Sequence, residues 1–507
     1  MVFYKKNKNT EFLKDLEMVL DVSGAQNYIP IYSRFFSLNA TNWNNINLEN
    51  DNELINIHDC DYNKATATLA TNVKTSIFLK YSPLLDPLKY LNGKYTNYDF
   101  TLPGLTGNFP KLIDVHNSAY IDSFFSYLSS QLLNKQFIHG IGFYGSYLGI
   151  KRNFKYSIED EIEQLHNSTF FYENNNKLFT LNKEISTPPS QKNRQKIVLH
   201  DECIDLVFED VDCSTISVSN AKANTDIKVE IVEDTSDIKD EDCMSDTSSK
   251  SSNTDNENGE WETDESDSDS DCELFGLHAI IHQFPVQIIA LEQCKDTLDS
   301  LLVDCIPPEE ITSALMQIIM TLIMYQNVFQ FTHNDLHTNN IMFVETTEPY
   351  LYYTYKNIHY KVPTYGRIYK IIDFGRAIYT YDGKRFVSDS FHPDGDAATQ
   401  YNIEPFLDSS KPILEPNYSF DLCRLACSML DIIPDDTPVY ELVEEWCLDD
   451  KHRNILYKKN GEERYPDFKL YKMIARTVHA HIPELQLNKP IFQKYIVTEK
   501  NKNAIQI

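Results

Sequence analysis

Residues 214–272 constrain this chain more than any other stretch. The run SDTSSKSSNTDNENGEWETDESDSDSD has almost no apolar side chains and many like charges. Such a segment cannot bury enough surface to offset the entropy of ordering it, so it is expected to be disordered. A folded core must then be assembled from the flanks, with this run as an insert. The net charge of −29 is concentrated here; residues 201–273 carry roughly −21 and the remainder about −8. Ser266, Ser268 and Ser270 each have an acidic residue three positions on, which suits phosphorylation by acidophilic kinases.

The flanks suit a globular protein, since the 507-residue chain is 42% hydrophobic and 12% aromatic. Nothing in the overall charge offers the basic surface that nucleic-acid binding needs, so no nucleic-acid partner is expected. Ten cysteines occur without a CxxC pair, which fits a reduced, intracellular protein. No apolar run follows the basic N-terminus, so no secretory signal is read. The most apolar long stretch, 314–331, contains Gln317, Gln326 and Asn327 and predicts a buried helix rather than a membrane span. A soluble, monomeric core without a membrane partner is expected.

Periodicity outlines the elements. Residues 1–70 are Asn-rich without clear periodicity. VKTSIFLK at 73–80 predicts a strand, 117–133 a helix, 137–156 strands and VQIIAL at 286–291 a buried strand. Helices are predicted at 296–302, 309–330 and 419–433, and a hairpin within 350–372.

Two short motifs carry chemistry: HNDLHTNN at 333–340 and IIDFGRA at 371–377. Phosphoryl transfer from ATP needs a carboxylate near the accepting hydroxyl and oxygen ligands that hold magnesium against the phosphates. Asp335 can supply the first. Asn340, five residues on, and Asp373, at the end of an apolar strand, can supply the second.

HNDLHTNN resembles the catalytic loop of protein kinases and IIDFG their metal-binding loop. The resemblance implies an α+β, two-lobed protein-kinase-like fold with ATP and Mg²⁺ as cofactors. Asp335 would be the catalytic aspartate, and Asn340 and Asp373 the metal ligands. Lys80 would align the phosphates, with Asp122 in place of the usual glutamate partner. The backbone near Glu292 and Cys294 would hold adenine. Asp421, in SFDLCRL, would be the buried aspartate of the large-lobe helix that braces the catalytic loop. His337 is shared with haspin-like kinases and with aminoglycoside-type phosphotransferases. The segment YKVPTYGRIYKIIDFGRAI, the acidic insert and the Asn-, Ile- and Tyr-rich composition are similar to the serine/threonine kinases of mimivirus-type giant DNA viruses, which would place the protein in a host cytoplasm.

The expected organisation is an N-terminal extension and start of the small lobe at 1–70, a small lobe at 71–290 containing the insert, a large lobe at 291–490 and a tail at 491–507. The expected activity is a serine/threonine protein kinase acting on a protein of unknown identity. A small-molecule kinase and a pseudokinase scaffold are the alternatives. They remain open because no GxGxxG precedes Lys80, no APE follows DFG, and Asn334 replaces the arginine of HRD. Without that arginine, activity is expected not to depend on phosphorylation between Gly375 and Pro416, where Thr380, Ser388, Ser390 and Thr399 are the candidate positions.

Overall fold

The computed structural model describes residues 4–96, 101–106, 109–183 and 276–507. The acidic insert at 214–272, with Ser266, Ser268 and Ser270, lies outside the described residues.

The architecture is mixed α+β, and a curled antiparallel sheet of seven strands forms one part of it. In chain order these are β1 (Val22–Gln26), β2 (Leu54–Asp61), β3 (Lys64–Leu69), β4 (Lys74–Pro83), β5 (Phe143–Ser157), β6 (Phe179–Leu181) and β7 (His278–Glu292). Their spatial order is β1-β5-β7-β4-β3-β2, with β6 pairing beside β7. The sheet thus draws on residues well before position 70, where the Asn-rich sequence shows no clear period. It also joins strands on both sides of the acidic insert through the β5–β7 ladder, in which Phe143 faces Leu291 and Ser157 faces His278.

Alternation decides which side chains enter the cleft. In β4, Ile77 and Leu79 are buried in the core. Successive side chains point to opposite faces of a strand, so Phe78 and Lys80 share the other face. In β7, the outer half alternates, whereas Phe284 to Leu291 are all buried. A continuously buried run, apolar but for Gln287, which donates to the Ser146 hydroxyl at 2.7 Å, fits a central strand covered on both faces.

Helix α1 (Ser118–Leu133) packs against β5 and β7. Its start is capped by Asn117, whose side chain accepts from the Ala119 N–H at 3.0 Å. Nearly every α1 residue is buried, including its one carboxylate, Asp122.

Helix α2 (Pro308–Phe329) is the core helix of the second part. Among the described residues it is the one helix long and apolar enough to cross a membrane, yet 83% of its apolar window is buried inside the protein. After it come β8 (Ile341–Glu345), the hairpin β9 (Tyr350–Tyr355) and β10 (Ile358–Pro363), and β11 (Arg367–Ile371). Strands β8 and β11 pair antiparallel, with Ile341 opposite Ile371. This ladder sets the two chemistry-bearing motifs side by side, because the start of one strand meets the end of the other.

Helix α3 (Phe420–Cys427) is shorter than the sequence period suggests, and the chain continues to Ile433 in turns. Helix α4 (Lys469–Thr477) follows later. The last residues are paired too: Ile496 faces Tyr360 of β10 and Ile505 faces Tyr353 of β9.

Candidate functional site

A cleft of about 340 Å³ is lined by Phe78, Leu291 and Met342 and by Lys64, Lys80, Asp122, Cys294 and Asp373. Its volume falls within the range of about 300–1,000 Å³ typical of small-molecule sites. An apolar wall with a few convergent charges is the usual composition of such sites.

Lys80 is the hub. Its Nζ lies 2.9 Å from Asp122 Oδ2 and 2.8 Å from Asp373 Oδ1. Although aspartate is one methylene shorter than glutamate, α1 lies close enough for Asp122 to reach the lysine. The other oxygen of Asp122 accepts from the Phe374 N–H at 2.9 Å. One buried carboxylate therefore ties strand β4 to the backbone of the DFG segment. Burial alone would lower the Lys80 pKa, but Asp122 and Asp373 together raise it, so the ammonium is held charged. Partial burial would raise Asp373, and Lys80 outweighs it and holds the carboxyl below its ordinary range.

Asp373 occupies left-handed backbone, φ +58°, and so does Asn334, φ +65°. Non-glycine residues there are uncommon, although Asn and Asp tolerate it best. Each is fixed by its surroundings. Phe374, wholly buried, packs on Phe125 at 4.7 Å. The Asn334 amide nitrogen donates to the Arg376 carbonyl at 3.0 Å, and its oxygen accepts from the Tyr401 hydroxyl at 2.8 Å.

Asp421, fully buried on α3, accepts from the His333 and Asn334 N–H groups, both at 2.9 Å. It shapes the loop that carries Asp335. The Ile372 N–H donates to the Asn340 carbonyl at 3.0 Å, an extension of the β8–β11 pairing. Asn340 and Asp373, 33 positions apart, are thereby brought to one place.

The Asn340 side chain has a fixed orientation. Its Nδ2 donates to the Asp335 carbonyl at 3.0 Å, an atom that can only accept. The same nitrogen lies 3.0 Å from His337 Nε2. Burial pushes the His337 imidazole down to about 4 against the opposing pull of Asp335, so the ring is neutral at pH 7 and Nε2 accepts. Asn340 Oδ1 is left buried with no hydrogen-bond partner. An unpaired buried oxygen calls for an explanation, and a hard cation is one that suits this donor. Among the described residues, no group of three or more His, Cys, Asp or Glu side chains could hold a metal by itself. Magnesium commonly takes only one or two protein oxygens and completes its shell with water and phosphate, so Asn340 and Asp373 fit it.

Asp335 is held differently. Its Oδ2 accepts from Arg376 at 3.0 Å and its Oδ1 from the Tyr471 hydroxyl at 2.6 Å. Arg376 also pairs with Asp396 at 2.8 Å. The Arg424 guanidinium lies over the Tyr471 ring at 5.0 Å, and Arg376 over the same ring at 5.6 Å. Burial would raise Asp335, but Arg376, His337 and Arg424 hold the carboxyl far below its usual range. Tyr471 and Arg424 lie 136 and 89 residues from Asp335, in no motif. Arg376, the cation directly after DFG, faces Asp335 and Asp396 rather than solvent.

The two remaining sequence-predicted positions, Glu292 and Cys294, also line the cleft. The Glu292 side chain turns aside to Lys370, at 2.8 Å, and accepts from the Gly142 N–H at 3.1 Å. Cys294 lines the cleft, and burial pushes its thiol up to about 12. The turn between β2 and β3 is pinned down: the Asn63 carbonyl accepts from the Leu79 N–H at 2.6 Å and the Tyr62 carbonyl from the Tyr81 hydroxyl at 3.1 Å. Lys64, which follows it, lines the cleft; sequence reasoning missed this residue.

The segment after DFG is anchored by Asp389, which pairs with Lys111 at 2.6 Å and accepts from the Ser118 N–H at 3.0 Å. Ser388 and Ser390 are buried beside it, Thr380 is half-buried and Thr399 is exposed.

Comparison of the sequence with family models and with curated proteins finds no match.

Proposed function

We propose that this chain is an ATP- and magnesium-dependent phosphotransferase with a two-lobed, protein-kinase-like fold, acting on serine or threonine hydroxyls. The observation that carries the reading is Lys80, whose ammonium bridges Asp122 on α1 and Asp373 of the DFG segment at 2.9 and 2.8 Å. A strand lysine paired with a helix carboxylate beside the metal-binding aspartate is the arrangement that kinase phosphoryl transfer requires. The unpartnered Oδ1 of Asn340 supports it further. Lys80 would orient the α- and β-phosphates, and the phosphate oxygens with Asn340 and Asp373 would hold magnesium. Magnesium would supply charge neutralisation at the transferring phosphoryl group. Asp335, held ionised, would orient the acceptor hydroxyl and receive its proton. The Glu292–Cys294 backbone would face adenine.

Labelled ATP tests this with a mixture of protein acceptors and, separately, of hydroxylated metabolites. Transfer to protein serine or threonine that is lost in Asp335→Asn is the expected result. Transfer to metabolites alone would move the activity to the small-molecule class. The pinned, glycine-free turn at Tyr62–Asn63 favours one second reading, a nucleotide-binding scaffold without turnover. ATP binding with no transfer to either pool would select it.

A further inference from the structure

Most charges that line the cleft already have partners. Lys80 is shared by Asp122 and Asp373. Glu292 is taken by Lys370. Asp296 accepts from the Thr297 N–H at 2.7 Å and from the Ser300 hydroxyl at 3.0 Å. Lys64 and Lys295 also line the cleft, and among the described residues neither ammonium has an ion-pair partner. Lys295 is exposed beside Cys294, whereas Lys64 is half-buried.

The strand register says where Lys64 points. In β3, Ala65, Ala67 and Leu69 enter the core, so Lys64, Thr66 and Thr68 take the other face. Lys64 stands opposite Phe78 in the β3–β4 ladder. Opposed residues share a face, and Lys80, two positions beyond Phe78, is a diagonal neighbour at about 7–8 Å. Two lysines thus project from adjacent strands into one cleft. The root of Lys64 is fixed, because the Asn63 carbonyl just before it is held by the Leu79 N–H. Asp61, its neighbour across the turn, is exposed and forms no ion pair with it. The Lys80 cluster itself is net negative, two carboxylates against one ammonium. A polyphosphate there needs positive charge from elsewhere, and magnesium supplies only part of it.

We infer that Lys64 is a second phosphate-binding cation, whose ammonium contacts the phosphate chain of the nucleotide from β3 while Lys80 contacts it from β4. This rests on the phosphotransferase reading for the identity of the nucleotide; the phosphate contact is a property of Lys64 alone. Kinase phosphates are ordinarily covered by a glycine-rich loop, and no GxGxxG precedes Lys80 here. A lysine is a point charge on a flexible stem, so it reaches a phosphate without the close backbone approach that glycine permits.

Isothermal titration of the full chain tests this with three probes: Mg-ATP, adenosine and magnesium tripolyphosphate. The variants are Lys64→Gln, Lys64→Arg and, as a control, Lys74→Gln, an exposed lysine at the far end of the same ladder. Losing a charge-assisted contact should weaken Mg-ATP and tripolyphosphate binding about tenfold in Lys64→Gln and leave adenosine within about twofold. Lys64→Arg should retain most of the affinity, and Lys74→Gln should change none of the three. Unaltered Mg-ATP affinity in Lys64→Gln defeats the inference and leaves the phosphotransferase reading standing. Equal weakening of adenosine, or the same loss in Lys74→Gln, also overturns it. Tripolyphosphate bound through Lys64 by a chain that does not bind ATP supports the phosphate contact and defeats the phosphotransferase reading. A native chain that binds neither Mg-ATP nor tripolyphosphate defeats both.

Discussion

The two carboxylates at the heart of the site are held in opposite ways. Asp373 is held by neighbours that the sequence announces: a strand lysine and the DFG backbone, with Asp122 behind both. Asp335 is held by Arg376, Tyr471 and, through the Tyr471 ring, Arg424, two of which come from helices far along the chain. The partners of Asp373 come from strand β4, helix α1 and the DFG backbone, whereas two of the three groups around Asp335, Tyr471 and Arg424, lie in no motif. On the proposed function, phosphate and metal chemistry would demand fixed residue types, while acceptor recognition could be assembled from whichever helix packs there.

The sharpest way to break this comparison is to neutralise each carboxylate in turn. Asp373→Asn removes the carboxylate charge beside Lys80 and, on the proposed function, should abolish magnesium-dependent ATP binding. Asp335→Asn should leave that binding intact and lower turnover by ~10²–10⁴-fold. Isothermal titration with Mg-ATP and initial-rate kinetics on the two variants would show the split. Equal loss of ATP binding in both would merge the two halves.

A smaller effect is expected from Tyr471→Phe. The ring and its stacking on Phe468 remain, and only the hydrogen bond to Asp335 is lost. A hydrogen bond to a charged group contributes about 1.5–3 kcal/mol, so kcat should fall at least roughly tenfold while the KM for ATP stays level. The Asp335 pKa should rise, which moves the acidic limb of the kcat/KM profile upward in pH. An unchanged limb would make Tyr471 a packing residue only.

The anchoring segment offers a milder test. Ser388 and Ser390 are buried next to Asp389, which already supplies an anion at the start of α1. Phosphatase treatment should therefore leave activity within about twofold, since no phosphate is needed to order this stretch. A large loss, restored by rephosphorylation, would show that Asp389 does not suffice.

The remaining prediction concerns stability. His139 is fully buried, near the Tyr369 carbonyl and the Tyr353 hydroxyl, and burial pushes its imidazole down to about 4. Its unfolded value is near 6.5. Because the unfolded state binds the proton more readily, its contribution is fully present above pH 6.5 and is lost as pH falls toward 4. The loss is about 3 kcal/mol, readable as a falling urea midpoint that His139→Gln makes shallower.

How much of this was legible in the sequence follows from the same contrast. The strand carrying Lys80, the helix carrying Asp122, the buried helix over Pro308–Phe329 and the β9–β10 hairpin all announce themselves by their residue patterns. The first seventy residues do not. Their strands sit partly at the sheet edge, where β2 shows only two buried residues in eight, and edge strands need no strict alternation. The contacts of Asp335 with Tyr471 and Arg424 depend on how α3 and α4 pack, which no local pattern encodes.

The most direct test of the central claim is a melting curve of the full chain with ATP, with ATP and magnesium, and with ATP and chelator, repeated for Asp373→Asn. The account predicts a rise in Tm that requires magnesium and disappears in the variant. No shift in the native chain, or the same shift with chelator and in Asp373→Asn, would contradict it.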